Sequence, residues 1–225
     1  MSDNYTGLIA VRGGSQRIKN KNIRDFCGTS LLEIKIKQAM TCPLIDSVVV
    51  SSDCDEMIDL ARKIGAKTHK REPFFCSNDV PMNLVYEHLA NSIDCKNVVY
   101  LHVTSPLLKD KTLINCIETY NKKKDEGYDS LATVETVKKY LWYENEAINY
   151  NPNKHPRSQD LPGYYALNFA VNIISSENMI KNKNILGRNF YPFILDETES
   201  IDVDNMFDFE IAKFYYEKVN GLFER

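Results

Sequence analysis

Little in this sequence points to a membrane, a secretory route or a polyanionic partner. No apolar run approaches the roughly 18 residues that a bilayer span needs, which argues against a membrane protein. Charge of one sign is scarce: 28 Lys and Arg face 31 Asp and Glu, for a net charge of −3. A nucleic-acid binder would carry a basic excess. Histidine appears only four times, and His69, His88 and His155 form no ligand spacing. The six cysteines (Cys27, Cys42, Cys54, Cys76, Cys95 and Cys116) are scattered without metal-ligand spacing. With a polar start over residues 1–5 and no secretory pattern, they are expected to be reduced thiols in a cytoplasmic protein. Internal repeats and low-complexity tracts are also missing.

What is present is an ordinary globular composition. The chain has 225 residues, 43% of them hydrophobic, which predicts a single domain over residues 1–225 with an elaboration. Apolar runs alternate with segments of helical character. Residues 6–11 (TGLIAV), 47–52 (SVVVSS), 66–69, 97–103 (NVVYLHV) and 130–134 read as strands. Residues 31–40, capped by Ser30, 55–64, ended by Gly65, 83–92 and 112–124 read as helices. Such alternation predicts an α/β fold with a mostly parallel sheet covered on both faces, and a ligand in the crevice beyond the carboxyl ends of the strands. From residue 138 the pattern changes. An aromatic-rich stretch and a polar one with three prolines predict an excursion over about 138–172, serving as a lid or an oligomerisation arm. Strand character returns over 165–174 and 191–195, and residues 206–218 close as an amphipathic helix.

Chemistry concentrates in four places. Directly after the first strand come Arg12, Gly13, Gly14 and Ser15, and five basic residues (Arg12, Arg17, Lys19, Lys21, Arg24) fall within thirteen positions. Glycine-freed amides and clustered cations suit a polyphosphate. The spacing is neither a Walker loop nor GxGxxG, and a solvated basic turn has the same composition. Next, Asp202 and Asp204 in SIDVD are two apart, so both carboxylates face one way in an extended segment. Paired hard oxygens near a phosphate pocket suit Mg²⁺, while an exposed acidic edge is the plainer alternative. Third, His102, Thr104 and Ser105 follow a buried strand, where His102 fits either a substrate contact or a structural histidine. Fourth, Arg157 and Gln159 lie in the polar excursion, where an arginine can grip a carboxylate or phosphate.

Taken together, these segments resemble the acylneuraminate cytidylyltransferases, the CMP-sialic acid synthetases. RGGSQRIKNKN resembles that family's ARGGSKR-I/L-P-x-KN. VSSDCDE, REP with SND, HVTSPL, RSQDLP, YALNFAVNI and SIDVDNMFDF resemble later motifs in the same order. The resemblance implies a Rossmann-like nucleotidyltransferase fold and a homodimer formed through the excursion. It also implies transfer of CMP from CTP to a nine-carbon 2-keto sugar acid, with Mg²⁺. By motif position, Arg12 and Lys21 would hold the CTP phosphates, with Gly13, Gly14 and Ser15 in the same loop. Asn22, Arg71 and Ser77 would contact the cytidine, and Asp202 and Asp204 would bind the metal. Arg157 would approach the sugar or phosphates, with His102, Thr104, Ser105, Gln159 and Asn168 lining the sugar subsite. Asp202 is the nearest candidate base for the attacking hydroxyl, a role that metal activation would fill equally well.

Departures from the family pattern accompany the matches. Gln16 stands where the family has lysine, His102 where it has glutamine, Val103 where it has proline, Leu108 where it has arginine and Phe169 where it has glycine. Gln16 and Leu108 remove cations, and His102 and Phe169 bear on which acid is accepted. Two other readings stay open. One is a cytidylyltransferase for another acid such as Kdo, although the loop at residues 12–22 lacks the Kdo-type pattern. The other is a non-catalytic homologue that binds CTP or a CMP-sugar, against which stands the retained Asp202 and Asp204 pair.

Overall fold

The β-branched run at residues 47–52 and its apolar counterparts form the strands that the sequence leads one to expect. In the computed structural model, which describes residues 4–15 and 17–220, the strands are β1 (Tyr5–Ala10), β2 (Ser47–Ser52), β3 (Lys67–Lys70), β4 (Asn97–Leu101), β5 (Ser130–Val137), β6 (Trp142–Tyr143), β7 (Glu146–Ala147), β8 (Tyr164–Ser175) and β9 (Phe190–Ile194). The helices are α1 (Leu31–Thr41), α2 (Asp55–Ile64), α3 (Met82–Asn91), α4 (Asp110–Lys124), α5 (Ser176–Asn182) and α6 (Met206–Val219). Gln16 and residues 1–3 and 221–225 lie outside the described residues.

Local signals set several of these boundaries. The Ser30 side chain accepts the Glu33 amide at 3.2 Å, which starts α1. Gly65 ends α2 at φ +102°, a left-handed conformation open to glycine. The short helix α5 is an addition to the sequence reading. Ser175 caps it through the Asn178 amide at 3.2 Å, a signal present in the sequence but masked by the strand character before it.

Seven strands form one sheet in the order β3-β2-β1-β4-β8-β5-β9. Pairings among β3, β2, β1 and β4 are parallel, as is β5 with β9, while β8 is antiparallel to both β4 and β5. The inversion follows from connectivity. The chain leaves β5 at Val137, makes its excursion, and returns as β8 with Tyr164 opposite Val137. The intervening segment is therefore 138–163, and residues 164–172 belong to the sheet rather than to the excursion.

Helices cover both faces, as β1, β2 and β4 require, since parallel strands bury both of their sides. On one face Ile9, Val50, Val99, Leu101 and Ile173 pack with residues of α1, α2, α4 and α6. On the other, Leu8, Val98, Tyr100 and Ile174 meet Val85 and Leu89 of α3 and Met179 of α5. Each such aliphatic side chain contributes about 1.5–3 kcal/mol, enough to fix the strand ends on which the loops sit. No helix among the described residues is long and apolar enough to cross a membrane.

Candidate active site

The loop after β1 is held open by groups placed beneath it. Val11 still donates to Ser51 O at 2.9 Å, extending the β1–β2 ladder by one residue. The chain then turns, with Gly14 at φ +73°, a conformation that favours glycine. The Gly13 amide donates to Asp53 Oδ1 at 2.8 Å. Arg71 is buried under the same loop, where its Nη2 donates to Val11 O and its Nε to Cys76 Sγ at 3.0 Å. Arg12 Nη1 donates to Cys76 O at 3.2 Å and to Asn78 Oδ1. Asn22, also buried, has its carbonyl bonded by the Leu32 amide at 2.9 Å, joining the loop to α1.

The acidic pair arrives from the opposite side. Val203 is fully buried and its amide donates to Thr104 O at 2.8 Å. This anchor sets Asp202 and Asp204 on either side of it, the Asp204 side chain open to solvent, as alternation along an extended segment demands. Lys21 Nζ donates to Val203 O at 2.6 Å, and Arg17 Nη1 pairs with Asp204 Oδ2 at 2.8 Å. The Asp204 amide donates to Asp208 Oδ2 at 3.0 Å, next to the capping box of Asn205 and Asp208 that starts α6. Burial lowers the pKa of Lys21, opposed by the charges of Asp204 and Asp202. Burial raises that of Asp202, opposed by a hydrogen bond from Thr104 and reinforced by Asp204.

Among the described residues no group of three or more His, Cys, Asp or Glu gathers to hold an ion unaided. Two neighbouring carboxylates still fit Mg²⁺, which takes one or two carboxylates and completes its shell with water and substrate phosphates.

Between the basic loop and the acidic segment lies an open cavity of about 280 Å³. Arg12, Ser15, Lys21, Asn22, His102, Thr104 and Asp204 all line it, so residues separated by up to 192 positions in the chain meet at the carboxyl ends of β1 and β4. His102 carries a buried Nε2 with no partner. Burial, with the charge of Lys35 adding to it, pushes the imidazole down to about 4. Its ring lies 4.9 Å from that of Tyr100 and 5.7 Å from that of Phe169.

Other expected site residues stand elsewhere. Gly13, Gly14 and Arg71 shape the loop rather than line the cavity, and Asp202 is beside it through Thr104. Ser105 is buried, with its carbonyl turned to Lys35 Nζ at 3.0 Å. Asn168 is buried and bonded to the Ala170 amide at 3.2 Å and to Ser200 Oγ at 3.3 Å. Ser77 is exposed in a turn closed by the Asp79 amide at 3.2 Å. Arg157 is exposed and paired with Asp160 at 2.9 Å, and the Gln159 carbonyl accepts from Lys138 Nζ at 3.4 Å. Neither residue reaches the cavity within this chain. The sequence reading left Arg17 and Asp53 without roles. Arg17 was one cation among five, and the only local sign of Asp53 was its place just after β2.

A family model described as cytidylyltransferase matches residues 6–214. A pseudaminic acid cytidylyltransferase of Campylobacter jejuni is 30% identical over 95% of this chain and 96% of its own length. A CMP-N,N'-diacetyllegionaminic acid synthase of the same organism is 24% identical over 92% of each chain. An N-acylneuraminate cytidylyltransferase of Danio rerio is 28% identical over 94% of this chain and 50% of its own. In fold, the chain is similar to a CMP:2-keto-3-deoxy-manno-octonic acid synthetase solved with CTP, with a TM-score of 0.70, 12% identity, and coverage of 96% of this chain and 99% of that one.

Proposed function

The chain belongs to the cytidylyltransferase family, and from that premise we propose that it couples CTP to the anomeric hydroxyl of a nonulosonic 2-keto sugar acid. The products are the CMP-sugar and pyrophosphate. The observation that carries this reading is the meeting of Arg12, Lys21 and Asp204 around one cavity at the strand ends, in a chain whose sequence relatives are named for pseudaminic, legionaminic and N-acylneuraminic acids. The octonic acid synthetase, at 12% identity, shares the fold alone.

In this reaction the hydroxyl oxygen attacks the α-phosphorus in line. The bond to the bridging oxygen of pyrophosphate breaks as the new P–O bond forms, and the hydroxyl proton is released. Charge spreads over the phosphate oxygens, so groups aimed at them supply most of the catalysis. Arg12 and Lys21 meet that charge, while Arg17, held by Asp204, stands beside them. Gly13, Gly14 and Ser15 let the backbone approach the phosphates, and Asn22 sits on the nucleoside side. Mg²⁺ held by Asp202 and Asp204 would neutralise phosphate charge from the opposite side. His102 and Thr104 are offered to the sugar.

We assign the excursion to a homodimer contact. Trp142 and Tyr143 are 52% and 69% exposed there, and a partner's arm is the route by which Arg157 and Gln159 would reach a site. The six cysteines are free thiols, which supports action in the cytoplasm.

Pyrophosphate release, measured with Mg²⁺ and each of CTP, ATP, GTP and UTP against a panel of nonulosonic acids and Kdo, tests the reading. Release is expected only with CTP and a nonulosonate. Release with Kdo alone would overturn the substrate class, and failure to bind CTP would overturn the function.

A further inference from the structure

Lys35 is a lysine in an unusual place. It lies on α1 with no solvent exposure, on the face that packs under the turn leaving β4. Its Nζ donates to Ser105 O at 3.0 Å and to Gln38 Oε1 at 2.7 Å. Gln38 in turn donates through Nε2 to Leu108 O at 2.6 Å and to Asp110 Oδ1 at 3.0 Å. One buried pair therefore holds the carbonyls of residues 105 and 108 from below. The Ser105 amide closes the same turn on His102 O at 3.5 Å. The turn carries Thr104, which lines the cavity and is bonded to Asp202. A buried cation is a costly way to brace a loop, and a neutral donor would suffice for the two bonds alone. Its charge also acts on His102, the cavity-lining imidazole whose Nε2 is buried without a partner.

We propose that Lys35 is a positioning residue for the sugar subsite, holding the turn at residues 102–108 from below so that His102 and Thr104 keep their places on the cavity wall. The inference rests on the proposed reaction only in placing the sugar against His102. A neutral imidazole offers one donor or one acceptor at Nε2, according to its tautomer. It therefore reads a hydroxyl or acylamino substituent and leaves the sugar carboxylate to the arginines and lysines.

The titratable groups facing Lys35 are Asp110 at the start of α4 and His102 at the end of β4. Burial pushes Lys35 down to about 7, with Asp110 acting in the opposite direction. In the range where His102 titrates, about 4, Lys35 is therefore protonated and repels the imidazolium. Removing the lysine charge must raise the histidine.

The decisive measurement is NMR titration of the His102 imidazole in the ligand-free chain, paired with separate KM values for CTP and the sugar. In the wild-type protein His102 should remain neutral to below about pH 5. In Lys35→Met its titration should move up by about one pH unit, and the sugar KM should rise several-fold while the CTP KM holds. Lys35→Gln keeps a donor on a shorter stem, so the histidine shift should persist while part of the sugar KM is restored. It also serves if the methionine variant does not fold. His102 titrating near its ordinary 6.5 in the wild-type chain would overturn the proposal. So would a folded variant with an unmoved histidine, or a moved histidine with an unchanged sugar KM. The titration needs no sugar, so rejection of every nonulosonate would sink the proposed reaction and leave the Lys35–His102 coupling independently measured.

Discussion

At position 169 the backbone sits at φ +57°, beside a register shift between Ala132 and Val134 in the pairing of β5 with β8. A side chain with a Cβ pays about 1–2 kcal/mol for that conformation, and here the residue is phenylalanine. Its half-buried ring lies next to that of His102, which lines the cavity. One of the departures of this chain from the resembled pattern is thus a strained one. Phe169→Gly and Phe169→Ala both remove the ring, but only the first relieves the backbone. Urea denaturation should find the glycine variant more stable than the alanine variant by about 1 kcal/mol; the reverse order would refute the strain. A second residue-scale prediction concerns Asp204, whose carboxylate is exposed and tied to Arg17. Asp204→Asn should lower Mg²⁺-dependent pyrophosphate release by about 10²-fold or more, with CTP binding by calorimetry largely preserved. Undiminished turnover would remove Asp204 from the metal site.

Among the elements, the segment between β5 and β8 organises itself apart from the sheet. The hairpin of β6 and β7 pairs Trp142 with Ala147 and Tyr143 with Glu146. Tyr140, Tyr150 and His155 form a ring cluster with centroids 4.6–5.3 Å apart. Trp142 Nε1 donates to Tyr150 Oη at 2.8 Å, and the Asn149 side chain bridges Leu141 N and Lys139 O at 2.9 and 2.7 Å. An arm built in this way keeps its shape while presenting apolar surface, as an interface requires. Sedimentation should show a dimer for the wild-type chain. Replacing Trp142 and Tyr143 together by serine should give a monomer with little activity, because Arg157 and Gln159 would no longer reach a partner's cavity. A fully active monomer would overturn the assignment of the arm.

For the whole molecule, the partly buried histidines tie folding to pH. His102 is pushed down to about 4, and burial lowers His69 and His88 as well. Between the folded value of His102 and the ordinary 6.5, the unfolded chain binds the extra proton and the folded chain does not. Stability therefore rises with pH through this window and is lost as pH falls from 6.5 to 4. The share of His102 is on the order of 3 kcal/mol. Thermal unfolding followed at steps between pH 7 and pH 4 should show the decline, and His102→Gln should flatten it. An unchanged slope in that variant would show that His102 is not buried as a neutral group.

Alternation of apolar runs with helical segments determined the α/β class, because burying both faces of a strand leaves little choice of residue. Ser30, Gly65 and the Gly13–Gly14 pair marked their turns for equally local reasons. SIDVD placed two carboxylates on one side because the strand period is two. Other features depended on partners far along the chain. The antiparallel insertion of β8 between β4 and β5 followed from where the excursion returned, which no local pattern encodes. The bracing contacts of Arg71 to Val11 O and Cys76 Sγ exist only once the loop after β1 and the segment after β3 lie together. Lys35 looks like an exposed helix lysine in LLEIKIKQAM. Only the packing of α1 under the turn after β4 removes its water and brings Ser105, Gln38 and the field of His102 to bear on it. Burial and long-range electrostatics are properties of the assembled fold, and they decide what a titratable side chain does.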